Sequence, residues 1–146
     1  MITVVRGFGA AYLAVSAAAT VISIRDDLPA NFANWHLTSE NLTRDFLIGA
    51  GTALSAPLVV LIALAVLLVL CAQPTQTGRI ALALLVVVAV GLVVGMVGEP
   101  VAREALDEAG AHIDRTVIVI AGLVLPLGIA AGAQTAYQLH RQGEPL

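Results

Sequence analysis

Histidine and glutamate recur at a spacing of four residues in two polar segments of the chain. His36 and Glu40 form one pair, and Glu108 and His112 form the other. Imidazole and carboxylate groups are ligand types of zinc and iron sites, and without a metal they can act together as a general base. If the two segments meet in the folded protein, this chemistry would be concentrated at one site.

The metal interpretation has the weaker support in the sequence. Gly110 interrupts a helix between Glu108 and His112, and neither pair belongs to an HExxH signature. We therefore predict no metal site, and the sequence defines no cofactor. Acid-base chemistry on a bound substrate remains, and its candidate residues all lie in the polar connectors. The candidate catalytic residues are His36, Glu99, Arg103, His112 and Arg115.

The composition places most of the chain in a lipid bilayer. Of 146 residues, 59% are hydrophobic and 12% are charged, and the mean hydropathy is +0.95. A domain of this size cannot hide so much apolar surface from water. The net charge of -3 and the absence of a basic cluster exclude nucleic acid as a partner, because phosphate binding needs several converging cations.

Four apolar segments are long enough to cross a hydrocarbon core of about 30 Å, which needs roughly 20 residues of helix. We predict an all-α fold, an integral membrane four-helix bundle forming a single transmembrane domain over residues 1–146. The predicted spans cover residues 7–24, 46–72, 80–97 and 117–137. Pro57 and Pro126 lie inside two of them, and each is expected to bend its helix.

The first segment has two interpretations. Its single Arg, short apolar run and small residues are also typical of a cleavable secretory signal. However, Tyr12, Ser16 and Thr20 follow one another at intervals of four residues and form one polar stripe along a helix. A signal peptide needs no such stripe, so we predict an uncleaved spanning helix.

Localisation and orientation follow from the charges and the number of spans. Arg supplies every basic side chain, a usage typical of bacteria with GC-rich genomes, and we predict the bacterial cytoplasmic membrane. Basic residues are nearly balanced between the two sides, so they do not orient the chain. An even number of spans puts both termini on one side, which we predict to be cytoplasmic, with the longer acidic connectors outside.

The third connector contains a short amphipathic helix. Pro100 is tolerated in the first turn of a helix, Gly110 is suited to end one, and the stretch "VAREALDEAG" from Val101 to Gly110 mixes apolar and charged residues. We expect this helix to lie on the membrane surface, with its charges facing water.

Small residues recur at helical spacing in three of the predicted spans. Gly91 and Gly95 form one GxxxG motif, Gly128 and Gly132 form a second, and alanines continue the pattern on the first helix. Small residues allow helix backbones to approach closely in lipid. We expect these motifs to make contacts inside one bundle, with a homo-oligomeric seam as the alternative.

No charged side chain falls inside the four predicted spans, which disfavours a proton-coupled exporter and a cation channel. The polar side chains of the spans and the residues at their outer ends would instead line a cavity for a lipophilic molecule. The candidate substrate-binding residues are Tyr12, Ser16, Thr20, Trp35, Arg44 and Asp45.

Three motifs resemble those of a known family. "RDFLIGAGTAL" lies in the second span, "GEPVAREAL" follows the third, and "HIDRTVIVIAGLVLP" enters the fourth. They resemble the small four-helix membrane proteins of the anthrone-oxygenase-like family, which tend to carry Asn-x-Pro after the third helix and Arg-Thr opening the fourth. Glu99 and Arg103 stand where that family has Asn. DoxX-like four-helix proteins are similar in size and layout.

The resemblance implies an oxygenase or cyclase-like role on an aromatic or polyketide substrate. By the same resemblance, Glu99, Pro100, Arg115 and Thr116 are the residues of interest. Two classes of function therefore stay open: a small enzyme or binding protein for a lipophilic molecule, and an accessory or scaffold subunit that packs against a larger membrane complex. A cavity beneath the acidic connectors favours the first, and a solid bundle with an exposed glycine face favours the second.

Overall fold

The computed structural model describes residues 1–25, 28, 42–48, 51–107 and 115–142, and the chain is mostly helical within them, with no strand. The elements are α1 (Ile2–Arg25), α2 (Leu42–Ile48), α3 (Leu58–Leu70), α4 (Gln76–Gly98), α5 (Pro100–Asp107), α6 (Arg115–Val119), a π-helical turn (Ile120–Val124) and α7 (Leu125–Gln142). We use the term mouth end for the end of the molecule where α1 and α4 finish and α6 begins.

Three helical segments are long and apolar enough to cross a membrane: Ile2–Arg25, Gln76–Gly98 and Arg115–Gln142. Their outward side chains are apolar, as lipid requires, and Val21, Val87 and Leu127 are each more than half exposed. This confirms the first, third and fourth predicted spans and agrees with a multi-pass membrane protein.

The second predicted span, residues 46–72, is not one continuous helix, and that prediction is wrong. Helix α2 ends at Ile48 and α3 begins at Leu58. The 13 residues of α3 extend about 20 Å, less than the hydrocarbon thickness of about 30 Å. Pro57 directly precedes α3, where its missing N–H costs nothing, so it starts this helix rather than bending it.

The helices pack in neighbouring pairs. Helix α4 packs most extensively against α7 and also contacts α3, whereas α1 packs against α7 and α3. Leu64, Leu82, Leu85 and Ile129 are fully buried between these helices. Within the described part of the chain, no Cα atom of α1 lies within 8 Å of one of α4, so the two helices stand apart on either side of the interior.

The two GxxxG motifs have different surroundings. A Cβ atom at Gly128 would meet the ring of Phe8, and one at Gly132 would lie 3.0 Å from Val5. This pair therefore lets α7 approach α1 closely, which confirms the expected contact inside the protein. No described atom lies within 4 Å of a Cβ at Gly91 or Gly95, so the same prediction is wrong for that pair.

The last span is irregular just before Pro126. The N–H of Leu125 donates to the carbonyl of Ile120, five residues earlier, in the π-helical turn. A proline ring collides with the carbonyl four residues before it in a regular α-helix. The wider π turn accommodates Pro126 without ending the helix, and the bend expected at this proline stays a prediction.

The amphipathic helix of the third connector is confirmed as α5, which begins at Pro100 and is followed to Asp107. Its Ala102 is fully buried, and together with Ile118 it forms a small core onto which Leu54 and Met96 pack. The apolar side of α5 thus covers the interior of the protein at the mouth end. The predicted stop at Gly110 lies outside the described residues.

Candidate ligand-binding site

A cavity of about 570 Å³ lies between α1 and α4 in the half of the protein nearer the mouth end. Its volume is in the range of small-molecule sites in proteins. Side chains and backbone from α1, from the non-helical stretch before α3, from α4 and from the π-helical turn form its walls. The residues that matter for the argument are Tyr12, Ser16, Thr52, Ser55, Gly91, Gly95, Glu99 and Gly122.

Hydroxyl groups form one wall of the cavity. Tyr12 and Ser16 are buried one turn apart on the same face of α1, and both line the cavity. Thr20, one turn nearer the mouth end, has its hydroxyl 2.8 Å from the Ser16 carbonyl and 2.9 Å from the Ser55 hydroxyl. The Thr20 hydroxyl is the donor toward both oxygens, and because it has one hydrogen it serves one of them at a time. The predicted polar stripe is therefore buried and faces the interior.

The stretch between residues 51 and 57 forms an adjoining wall because the helix is interrupted there. Gly51 has a φ of +94°, and Thr52 and Ser55 exchange backbone hydrogen bonds of 2.9 and 3.3 Å in a tight turn. The N–H of Gly51 donates to the Asp45 carbonyl, and that of Ala53 to the Leu28 carbonyl. These bonds satisfy backbone groups that would be costly to expose to lipid.

Glycines form the opposite wall. Gly91 and Gly95 have no described atom within 4 Å of a Cβ position, so they leave open space on α4. Gly122 of the π-helical turn is packed against the side chain of Met96, which also lines the cavity. The cavity therefore exists partly because α4 carries no side chains at two successive turns of this face.

The mouth end of the cavity is lined by a buried carboxylate. Glu99 follows the last residue of α4 and is only 8% exposed. Its backbone is fixed by hydrogen bonds of 3.2 Å from its N–H to the Met96 carbonyl and 3.1 Å from the Arg103 N–H to its own carbonyl. The core around Ala102 lies directly beyond it. An acidic residue thus stands at the mouth end of a cavity whose other polar lining side chains, among the described residues, are hydroxyls.

The other predicted catalytic residues within the described part of the chain do not line the cavity. The Arg103 Nε donates to the Val97 carbonyl at 2.8 Å, so this cation stabilises the carboxyl end of α4. Arg115 is exposed at the start of α6. Arg44 is exposed on α2, and Asp45 is buried on the same helix; neither lines the cavity.

His36, Trp35 and His112 lie outside the described residues, so their roles stay predictions. Where the structure describes the chain, no three His, Cys, Asp or Glu residues lie close enough together to hold a metal ion. That His36 and His112 meet over the mouth end therefore stays a prediction for experiment.

Sequence reasoning did not assign several lining residues to the site. Thr52 and Ser55 were visible as polar residues in an apolar segment, and the Gly-rich stretch with Pro57 marks an interruption of the helix. Gly91 and Gly95 were visible as a motif, but their spacing is the same whether they face a helix or a cavity. Only the position of the neighbouring helices separates these two cases.

The comparisons with known proteins give no further assignment. No protein-family model, no characterised protein and no solved structure matches this chain. The resemblance to the anthrone-oxygenase-like family therefore rests on the short motifs alone, and the functional argument rests on the geometry of the site.

Proposed function

We propose that this protein is a four-helix bundle of the bacterial cytoplasmic membrane that binds a lipophilic small molecule in the cavity between α1 and α4. In this bundle the second crossing is made by α2, the non-helical stretch and α3 together. Both termini lie on the cytoplasmic side and the mouth end lies outside. The bilayer itself is the surrounding solvent, and nucleic acid is not a partner.

The pairwise packing supports the bundle. Each of α1 and α4 contacts both α3 and α7, which is the arrangement of four helices around a common interior. Irregular backbone at membrane depth is tolerated where it is buried in protein or lines a cavity. The stretch from Gly51 to Pro57 meets that condition, because it lines the cavity and its turn is hydrogen-bonded.

The single observation that carries the binding proposal is the composition of the cavity walls. Valine, leucine, alanine and glycine residues form most of the lining, and a few buried polar groups interrupt it: the hydroxyls of Tyr12 and Ser16 on one side and the carboxylate of Glu99 at the mouth end. Sites for small lipophilic ligands combine apolar walls with a few fixed polar groups in this way. An empty space forfeits dispersion contacts along its walls. A bundle that bound no ligand would therefore be more stable if its own side chains filled this space.

An enzymatic role would use Glu99. Among the lining residues that the structure describes it is the one acidic side chain, and a carboxylate in this position can accept a proton or a hydrogen bond from a ligand hydroxyl. Chemistry of the oxygenase or cyclase type on the bound molecule belongs to this proposal only as an extension of the binding function.

One observation favours the alternative of an accessory subunit. Gly7, Ala10, Ala14 and Ala18 are exposed on α1, so this helix presents small residues to its surroundings. Small residues support close helix packing in lipid. A subunit role or a homo-oligomer would use this face, and the cavity would then have no ligand.

Filling the cavity provides the direct test. Gly95→Leu adds a side chain in open space at the cavity wall, so we expect the protein to fold and to lose the bound molecule. The measurement is the amount of small molecule per chain, determined by mass spectrometry after organic extraction of protein purified in polymer discs that retain lipid. Gly7→Leu is the matched control, because Gly7 also has open space around it but lies away from the cavity.

A molecule bound by the parent protein and by Gly7→Leu, but lost from Gly95→Leu, is the expected result. Equal amounts in all three proteins would contradict the proposal, as would the absence of any molecule beyond bulk lipid from the parent protein.

Removing the charge at the mouth end tests the role of Glu99. Glu99→Gln keeps the size of the side chain, so we expect the fold to persist and the affinity for the ligand identified above to fall by roughly tenfold to a hundredfold, the value of a hydrogen bond to a charged group. The measurement is a titration with that ligand in discs.

Glu104→Gln is the matched control, because Glu104 is an exposed acid on α5. Unchanged affinity in Glu99→Gln, or an equal loss in Glu104→Gln, would mean that the carboxylate does not contact the ligand.

A further inference from the structure

The cavity reaches the outer surface at the side of the protein. Gly91 and Val94 both line the cavity, and both are exposed; Val94 is 56% exposed. The lipid-facing residues Val87 and Val90 neighbour them on α4. Gly91 lies eight residues before Glu99, about 12 Å along the helix axis. The opening is therefore at the depth of the hydrocarbon layer.

The mouth end holds a buried core in contrast. Ala102 and Ile118 are buried there, and Leu54 and Met96, which also line the cavity, pack against them. Glu99 is buried at the same end of the cavity.

Helical geometry locates the opening on the side of α3. Met96 lies on the edge of α4 that packs against Gly122 of the last span, whereas Gly91 and Val94 lie toward the other edge. Pro57 and Val60, where α3 begins, line the cavity and are partly exposed.

We propose that the ligand passes between the bilayer and the cavity through this lateral opening, bounded by Gly91 and Val94 on α4 and by Pro57 and Val60 at the start of α3. The substrate class is then a membrane-dissolved amphiphile, with an apolar body that travels through lipid and a polar group that meets Glu99 or the hydroxyls of α1. This inference rests on the proposed function, and it adds the route and the physical class of the ligand.

The route can be measured without the natural ligand. In a Cys71→Ala background, Ser16→Cys places a thiol inside the cavity, and the protein is reconstituted into liposomes. The probes are pyrenylmaleimide, which dissolves in the bilayer, and a sulfonated maleimide dye, which stays in water. Val94→Cys in the same background reports the reactivity of a thiol that faces lipid directly.

We expect pyrenylmaleimide to label Ser16→Cys at least roughly tenfold faster than the sulfonated dye, because the charged reagent must be desolvated to reach an apolar site. Adding Gly91→Phe should obstruct the opening and slow the labelling by pyrenylmaleimide by about tenfold or more. Adding Gly7→Phe, the same change at an open position away from the cavity, should leave the rate unchanged.

Faster labelling by the sulfonated dye, an unchanged rate in Gly91→Phe, or no labelling of Ser16→Cys while Val94→Cys reacts would each overturn the lateral route. These outcomes are distinct from failure of the proposed function, which is judged by the bound molecule and by Gly95→Leu. A protein that holds a ligand but is labelled from water would retain the function and lose the route.

Discussion

Gly51→Ala is expected to destabilise the protein strongly, because Gly51 has a φ of +94° and its surroundings have no room for a side chain. A Cβ atom there would lie 2.6 Å from the Ser55 carbonyl oxygen and 2.8 Å from the Pro57 nitrogen. The left-handed conformation costs a residue with a side chain about 1–2 kcal/mol. The collision with backbone atoms adds roughly 1–3 kcal/mol, as overpacking does elsewhere.

The chain supplies its own reporter for this experiment. Cys71 is the only cysteine and is fully buried, so a thiol-reactive fluorescent dye detects unfolding as temperature rises. Gly91→Ala is the control, since a methyl group there meets no described atom within 4 Å. A melting temperature in Gly51→Ala as high as that of Gly91→Ala would show that the turn before α3 is not formed as described.

Gly128→Leu should separate α7 from α1. The first added carbon would collide with the ring of Phe8, and the rest of the side chain would have to displace it. Overpacking of this kind costs typically 1–3 kcal/mol and sometimes more. Because α1 and α7 share one of the larger helix contacts of the protein, we expect a lower melting temperature in the same thiol assay.

Gly91→Leu is the matched variant, the same substitution in the other GxxxG motif. It should melt near the parent protein, because its side chain enters the cavity or its opening instead of a helix contact. Equal destabilisation by the two substitutions would mean that both motifs pack against helices, and the cavity would then be closed.

Apolar length predicted the three helices that are long enough to cross a membrane, because each of them is one continuous segment with few polar residues. The predicted span of residues 117–137 lies within the observed Arg115–Gln142, and that of residues 80–97 lies within Gln76–Gly98. Hydropathy is sufficient to predict these helices, because a segment that crosses lipid needs both an apolar exterior and backbone groups that are hydrogen-bonded within the helix.

The interruption between α2 and α3 could not be predicted from apolar length, because the segment from residue 46 to residue 72 contains no charged residue that would divide it. The residues "GAGTALSAP" from Gly49 to Pro57 are uncharged like their neighbours but contain two glycines and a proline. That local pattern signals an interruption. The pattern does not show which residues hydrogen-bond the polar groups of the interruption. Two of these partners are Thr20 and Leu28, from elsewhere in the chain.

The residues of the candidate site could also be predicted only in part, because sequence spacing does not show which side chains face the interior. The stripe of Tyr12, Ser16 and Thr20 follows from helical periodicity, and the polar position of Glu99 follows from the end of α4. Arg103 carries the same type of signal as Glu99, yet it contacts the carboxyl end of α4. Four residues of sequence separate the two, and only the turn between α4 and α5 decides which side chain faces the interior.

The central claim is that the space between α1 and α4 holds a molecule taken from the membrane. An experimental density map of the protein in lipid discs tests it most directly. We expect density that no protein atom explains, in contact with Gly91 and Gly95 and extending toward Glu99. A map in which this space is filled by the protein's own side chains, or in which α1 and α4 pack directly together, would contradict it.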